Sequence, residues 1–189
     1  IPEGLYLLVS TALAVSMIQL ARKKAMVREM SCIEDLARVD VLCLDKTGTL
    51  TQGELEVLEL RPVNCSMEDL AARLGRFVDA SSSGNATAAA LKNRFGGRPE
   101  PWTPVREVYF SSQRKWSALS LPDGSDYLLG APEVLLGADW PLFEPDLRDA
   151  VRAGRRVLLL AEGAGALEGD QLSGPLVPLG FVILSDKLR

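Results

Sequence analysis

The apolar and polar positions of this chain change texture twice. Residues 5–21 carry no charge. As a helix rising 1.5 Å per residue, that run spans roughly 26 Å, close to the hydrocarbon core of a bilayer. Arg22, Lys23, Lys24 and Arg28 follow, with no acid until Glu29, and such a basic flank fits the cytoplasmic end of a spanning helix. A signal peptide would carry its charge ahead of the run and a small-residue cleavage site behind it. A buried helix of a soluble protein is the other reading that length leaves open. Ahead of the run, Pro2-Glu3-Gly4 reads in two ways. It is either a break that frees carbonyls beside an intramembrane acid, or the first turn of the helix.

Beyond residue 30 the texture alternates between short apolar runs and helical periodicity. Ser31 and Glu34 form a capping pattern for a short helix reaching Leu36 and Ala37. Residues 39–44 read as a buried strand that ends on Asp45. Residues 53–60 predict another strand, with 61–63 as a link. Ser66 with Asp69 caps a predicted helix over 68–78, whose Leu70, Leu74 and Phe77 share one face. Asn85 caps an Ala-rich helix over 86–95, and 96–104 is a loop. Strands are expected over 105–110, 117–121 and 127–129, with Pro122-Asp123-Gly124 turning the second into the third. A helical turn over 131–136 and a helix over 145–153, with Pro at its start and Gly154 after its end, come next. Strands over 157–161 and 176–184 close the pattern, joined by a Gly-rich hairpin loop over 163–169.

Composition narrows the function classes. Hydrophobic residues make up 47% and charged residues 24%, enough apolar surface for a core, so the chain is no disordered tail. A net charge of −4 gives no footprint for nucleic acid. Histidine is absent, which excludes His-based triads and His-ligated metals. Cys32, Cys43 and Cys65 share no Cys-x-x-Cys spacing, and a reduced, cytosolic setting suits them better than a disulfide framework. The glycines at 163–169 precede no Lys-Ser/Thr, so they are not a phosphate-cradling loop.

The candidate chemistry sits where the apolar run 39–44 meets Asp45-Lys46-Thr47-Gly48-Thr49-Leu50-Thr51. In an open α/β sheet, ligands bind just beyond the carboxyl ends of strands. An acid placed there, followed at once by a hydroxyl-rich turn, suits a carboxylate nucleophile that takes up a phosphoryl group. Residues 45–51 resemble the phosphorylation motif of P-type cation-transporting ATPases, within the haloacid-dehalogenase-like superfamily. Further motifs follow in that family's order. Pro2-Glu3-Gly4-Leu5 is similar to the ion-binding break of the fourth membrane helix. Phe110-Ser111-Ser112-Gln113-Arg114-Lys115, Gly130-Ala131-Pro132-Glu133 and Gly154-Arg155-Arg156-Val157-Leu158 resemble nucleotide-domain motifs. Asp186-Lys187-Leu188-Arg189 is similar to the Asp-x-x-Arg at which the chain re-enters the phosphorylation domain.

The resemblance implies an α/β fold. Part of a haloacid-dehalogenase-like (Rossmann-like) phosphorylation domain would carry an inserted α+β nucleotide-binding domain, preceded by a transmembrane helix. The expected segments are 1–30 for the fourth membrane helix and stalk, and 31–60 for the first part of the phosphorylation domain. The nucleotide-binding domain would span 61–175, with 176–189 returning to the phosphorylation domain. Asp45 is the implied nucleophile, with Lys46, Thr47 and Thr49 around it. Mg²⁺ would be held by Asp45 and the Thr47 carbonyl. Phe110, Arg114, Lys115, Arg156, Asp186 and Arg189 would serve ATP, and Glu3 the transported cation. Thr47 occupies the position where related phosphatases carry a hydrolytic acid, which implies an acyl phosphate that lasts. Leu129 stands where the family often has Lys, so ATP affinity would rest more on Lys115 and Arg156.

A Pro-Glu-Gly break with no Cys-Pro-Cys suits a hard cation. Ca²⁺ is favoured, with Mg²⁺ and monovalent ions open. The setting implied is a multi-pass protein in contact with membrane lipid, cytosolic after about residue 21. The remaining pump elements, the actuator domain among them, lie outside these motifs, so the 189 residues are expected to bind ATP without turning it over. A membrane-anchored phosphatase of the same superfamily and a non-catalytic nucleotide sensor are the competing readings.

Overall fold

The computed structural model describes residues 3–45, 49, 51–97 and 100–188. The chain divides into two compact units, Ile1–Leu44 and Asp45–Arg189. In the first, helix α1 (Glu3–Arg22) is followed by helix α2 (Ser31–Ala37). Within α1 the hydroxyls turn back onto the helix. Thr11 Oγ1 donates to the Leu7 carbonyl at 2.9 Å and Ser16 Oγ to the Ala12 carbonyl at 3.0 Å, the arrangement that lets Ser and Thr sit among apolar residues without an orphaned donor. The helix stops where Lys24 adopts a left-handed φ of 62° and the Ala25 amide reaches back to the Leu20 carbonyl at 3.0 Å, a C-terminal cap geometry. Residues Gly4–Arg22 are long and apolar enough to cross a membrane, with a mean hydropathy of 1.8.

Two local expectations fail in this unit. Ser31 is the first residue of α2 rather than its cap. Met30 takes the cap position in a helical conformation with no side-chain hydrogen bond, and Ser31 Oγ contacts Glu29 instead, at 3.5 Å. Residues 39–44, expected as a buried strand, belong to no regular element. Val41 and Leu42 are each 73% exposed. A strand requires a ladder partner for its amides and carbonyls, and none of the described strands pairs with this run.

The second unit is built on one six-stranded sheet, ordered β1-β8-β5-β4-β3-β2. Its strands are β1 (Thr51–Pro62), β2 (Arg106–Val108), β3 (Trp116–Ser120), β4 (Ser125–Gly130), β5 (Arg156–Ala164) and β8 (Val177–Leu188). Every pairing in it is antiparallel. The short strands β6 (Leu167–Glu168) and β7 (Gln171–Leu172) form a separate ribbon, so the Gly-rich segment expected as a hairpin loop also extends β5 and carries a two-stranded hairpin. The mixed α/β class with an N-terminal apolar helix therefore stands. The sheet uses more residues than periodicity suggested at its centre, and β1 runs on through Arg61 and Pro62, which were expected to be a link.

Strand alternation sorts the side chains onto two faces. Tyr127, Leu129, Leu160, Val182 and Leu184 pack with Leu70, Leu74 and Phe77 of helix α3 (Met67–Ala80) and with Leu91 and Phe95 of α4 (Ala86–Phe95). Leu128, Leu159, Ala161, Phe181 and Ile183 pack on the other face with Leu135 of α5 (Pro132–Leu135) and Leu147 of α6 (Trp140–Arg152). The caps of the first pair form as the sequence implies. Ser66 accepts from the Asp69 amide at 3.1 Å, and Asn85 Oδ1 accepts from the Ala88 amide at 2.8 Å. Helix α6 begins at Trp140, earlier than expected, with Pro141 in its first turn and Pro145 inside. Pro145 removes one intrahelical bond. Burial of Leu147 and Ala150, each 1% exposed, holds the helix on the sheet across that defect.

Candidate functional site

The α3/α4 face of the sheet carries a cavity of about 560 Å³, a size typical of small-ligand sites. Three of the expected nucleotide residues meet there, namely Phe110, Lys115 and Arg156. Each arrives from a different element. Phe110 lies just beyond the end of β2 and is 49% exposed, so its ring is offered to the cavity rather than used as core. Phe77, Val78, Leu129, Val157 and Leu158 supply an apolar wall. Leu129, at the position expected to lack a cation, is part of that wall and 8% exposed. Arg156 opens β5 two residues after Gly154, whose φ of 68° is left-handed and suits a residue without Cβ.

Lys115 occupies a tightly specified corner. Its backbone is left-handed, with φ 61°, uncommon for a residue with a Cβ. Its amide donates to the Ser111 carbonyl at 2.7 Å, and its own carbonyl accepts from the Ala131 amide at 2.9 Å. Gly130 pairs with the next residue, Trp116, across the β3–β4 pair. A Cβ there would lie 2.3 Å from the Trp116 Cβ and 2.6 Å from the Lys115 carbonyl oxygen. The Gly-Ala-Pro-Glu motif thus works on Lys115. Gly130 permits the close approach, Ala131 binds the carbonyl, and Glu133 pairs with the ammonium at 3.3 Å.

Two contacts at the cavity were not read from the sequence. Arg156 donates to Thr87 Oγ1 at 2.7 Å, which ties β5 to the first turn of α4. Glu133 lines the cavity together with Lys115. Thr87 follows the capping residue Asn85, a visible signal for a helix start but not for what the helix start touches. Glu133 lay inside a recognised motif, but its pairing with Lys115 depends on the β3–β4 register.

The other expected residues fall elsewhere. The Arg114 guanidinium donates to the Tyr109 carbonyl at 2.7 Å, lies 5.5 Å from the Trp116 ring centre and sits 3.8 Å from Asp170. It is not among the cavity's lining residues. Asp186, on β8, lines a separate recess of about 270 Å³ with Leu55 and Arg156. Asp45 is exposed, in a segment without regular structure, and Thr49 is exposed as well. Lys46, Thr47 and Arg189 lie outside the described residues, as does Pro2. Glu3 is the first residue of α1. The opposite face of the sheet has a cavity of about 500 Å³ at α6, where Trp140, Arg148, Arg152 and Arg155 meet Glu133.

Among the described residues no cluster of three or more His, Cys, Asp or Glu side chains could hold a metal ion. Mg²⁺ needs no such cluster. It is commonly held by one or two carboxylates plus substrate phosphates, and the exposed carboxylate of Asp45 is a donor of that kind.

Helices on both faces of an antiparallel sheet, with an apolar helix ahead of them, match the fold of P-type ATPases. The crystal structure of a zinc-transporting PIB-type ATPase in the E2.Pi state superposes with a TM-score of 0.61 and 21% identity, covering 96% of this chain and 27% of that one. No family model matches the chain. Among curated proteins, the calcium-transporting ATPase CtpE of Mycobacterium tuberculosis is 37% identical over 194 residues, covering 100% of this chain and 24% of that protein. The probable cation-transporting ATPase exp7 of Streptococcus pneumoniae is 41% identical over 193 residues, again covering 100% of this chain and 24% of its own length. The chain belongs to the P-type cation-transporting ATPases, and it spans about a quarter of the length of the curated relatives it matches.

Proposed function

We propose that this chain forms the phosphate-accepting and nucleotide-binding part of an ATP-driven cation pump. The observation that carries the reading is the convergence of Phe110, Lys115 and Arg156 on one cavity from three separate elements. The exposed ring of Phe110 offers a stacking face for adenine, a contact worth about 1–3 kcal/mol by analogy with base stacking on aromatics. Lys115 and Arg156 supply the positive charge that phosphates need, and the apolar wall through Leu129 supports the base. The nucleotide-binding domain is assigned to 61–175, with 31–60 and 176–189 contributing to the phosphorylation domain.

In the reaction, an Asp45 carboxylate oxygen attacks the γ-phosphorus in line with the departing oxygen. An O–P bond forms on Asp45, the bond to the β-phosphate oxygen breaks, and ADP leaves with the electron pair. Asp45 and the Thr47 carbonyl would hold Mg²⁺, which would supply charge neutralisation for the transferred group. Thr49 donates a hydroxyl to the phosphoryl oxygens, and Lys46 adds positive charge nearby. Thr47 offers no carboxylate to activate water, so the acyl phosphate persists long enough to drive transport. Asp186, on β8, and Arg189 serve ATP. Helix α1 spans the membrane as part of a multi-pass protein, with the chain beyond about residue 21 in the cytosol. Glu3 serves the transported ion. Ca²⁺ is the favoured cargo, supported by the carboxylate donor and by the calcium-transporting relative.

The test is phosphoenzyme formation by the full-length protein from γ-labelled ATP across a panel of cations. The reading requires an acid-stable, hydroxylamine-labile product that Asp45→Asn abolishes and whose level responds to Ca²⁺. Absence of any such product would favour the nucleotide sensor, and rapid loss of it the phosphatase.

A further inference from the structure

Glu133 is an acid in a cavity otherwise furnished for an anion. It lines the same space as Phe110, Lys115 and Arg156, and its carboxylate lies 3.3 Å from the Lys115 ammonium. The backbone corner that fixes Lys115 is already complete without it, through the Ser111 and Ala131 hydrogen bonds and the Gly130 contact. The pair is open to water, with side-chain exposures of 53% and 47%. An exposed pair of this kind adds little to holding a side chain in place.

Its charge has the larger consequence. A phosphate within hydrogen-bond reach of Lys115 lies no more than about 6 Å from the Glu133 carboxylate. In water, each unit of negative charge at that distance is repelled enough to cost about threefold in affinity, and less as salt rises. That penalty multiplies with ligand charge, whereas any positional benefit does not.

We propose that Glu133 is a specificity-determining residue of the nucleotide cavity, a counter-charge that weakens binding in proportion to the charge the ligand brings. Resting on the nucleotide reading, it sharpens that reading into a preference. Metal-complexed ATP, with part of its charge neutralised, is favoured over metal-free ATP. Together Lys115, Arg156 and Glu133 leave the cavity only one net positive charge, which suits the complexed form.

The test is a charge series on the full chain in detergent, with dissociation constants for adenosine, AMP, ADP and ATP in chelator, and for ATP with Mg²⁺. The expected result for Glu133→Gln is no change for adenosine and a gain of about twofold to threefold for AMP. The gain rises to about tenfold for metal-free ATP, is smaller for the magnesium complex, and is reduced throughout at high salt. The amide keeps the shape and a hydrogen-bond acceptor, and its thermal unfolding should match the parent. A uniform effect across the series, or no gain in Glu133→Gln with a loss in Glu133→Ala, would overturn the proposal and leave Glu133 as a positioning residue for Lys115. If the parent binds none of these compounds, adenosine included, the nucleotide reading itself fails.

Discussion

Residues 39–44 and 157–161 are both short apolar runs flanked by charge, yet they end in opposite states. Leu159, Leu160 and Ala161 are fully buried between β4 and β8, while Val41 and Leu42 stand open to solvent. Hydrophobicity does not separate them; what separates them is a neighbour on each side. Strand β5 has its hydrogen-bond partners within the chain, and its alternating side chains feed two helical layers at once. The run before Asp45 has no such ladder among the described strands. The two regions also divide the proposed chemistry, because the cavity proposed for ATP is assembled by the sheet and Asp45, the proposed phosphate acceptor, follows the run outside the described ladders.

The sharpest way to break this comparison is to separate the two activities. Asp45→Asn in the full-length protein is expected to eliminate the phosphoenzyme entirely while leaving ATP affinity within about twofold, as measured by label incorporation and by nucleotide titration. A parallel loss of ATP binding would contradict the division. Next in size is stability. Leu160→Ala should cost about 2–5 kcal/mol in urea unfolding, whereas Leu42→Ala should stay within about 0.5 kcal/mol. Equal losses would mean the run before Asp45 is packed after all.

A third test concerns the cavity itself. Phe110→Ala should weaken ATP by about 1–3 kcal/mol with unchanged unfolding, since the ring is half exposed and outside the core. A smaller effect distinguishes the sheet from everything around it. The Tyr127 hydroxyl donates to Glu162 at 2.8 Å and accepts from Arg73 at the opposing helix at 2.9 Å. Burial, with the Glu162 hydrogen bond, pushes its pKa up to about 12. Unfolded tyrosine titrates near 10, so the folded state holds the proton more tightly. That contribution is complete below about pH 10 and is lost as pH rises through 12. Urea midpoints measured over this window should fall less in Tyr127→Phe than in the parent.

What was legible in the sequence was local. The Ser66 and Asn85 caps need only a few neighbouring residues to form, and both form as expected. Ser31 failed because Met30 continues the helical backbone and leaves no extended cap position. The start of α6 was missed because Pro145 reads as a helix start, while the earlier turn opened by Pro141 carries no capping side chain. Strand ends were underestimated at Arg156 and at Ser185 to Leu188, where polar residues stay in the ladder because partners on β8 and β1, respectively, hold them. At the site, Phe110, Lys115 and Arg156 were found through motif resemblance. The Thr87 and Glu133 contacts arise only when separate elements meet, so sequence pattern could not supply them.

ATP is proposed to occupy the α3/α4 face of the sheet between Phe110, Lys115 and Arg156. Photolabelling of the full chain with an azido-substituted ATP, followed by peptide mapping, tests it most directly. Label is expected on the peptides carrying residues 77–88 or 106–116, prevented by excess ATP and sharply reduced in Phe110→Ala. Label on the opposite face, on the peptide carrying Trp140, Arg148 and Arg152, or label that ATP does not displace, would contradict it.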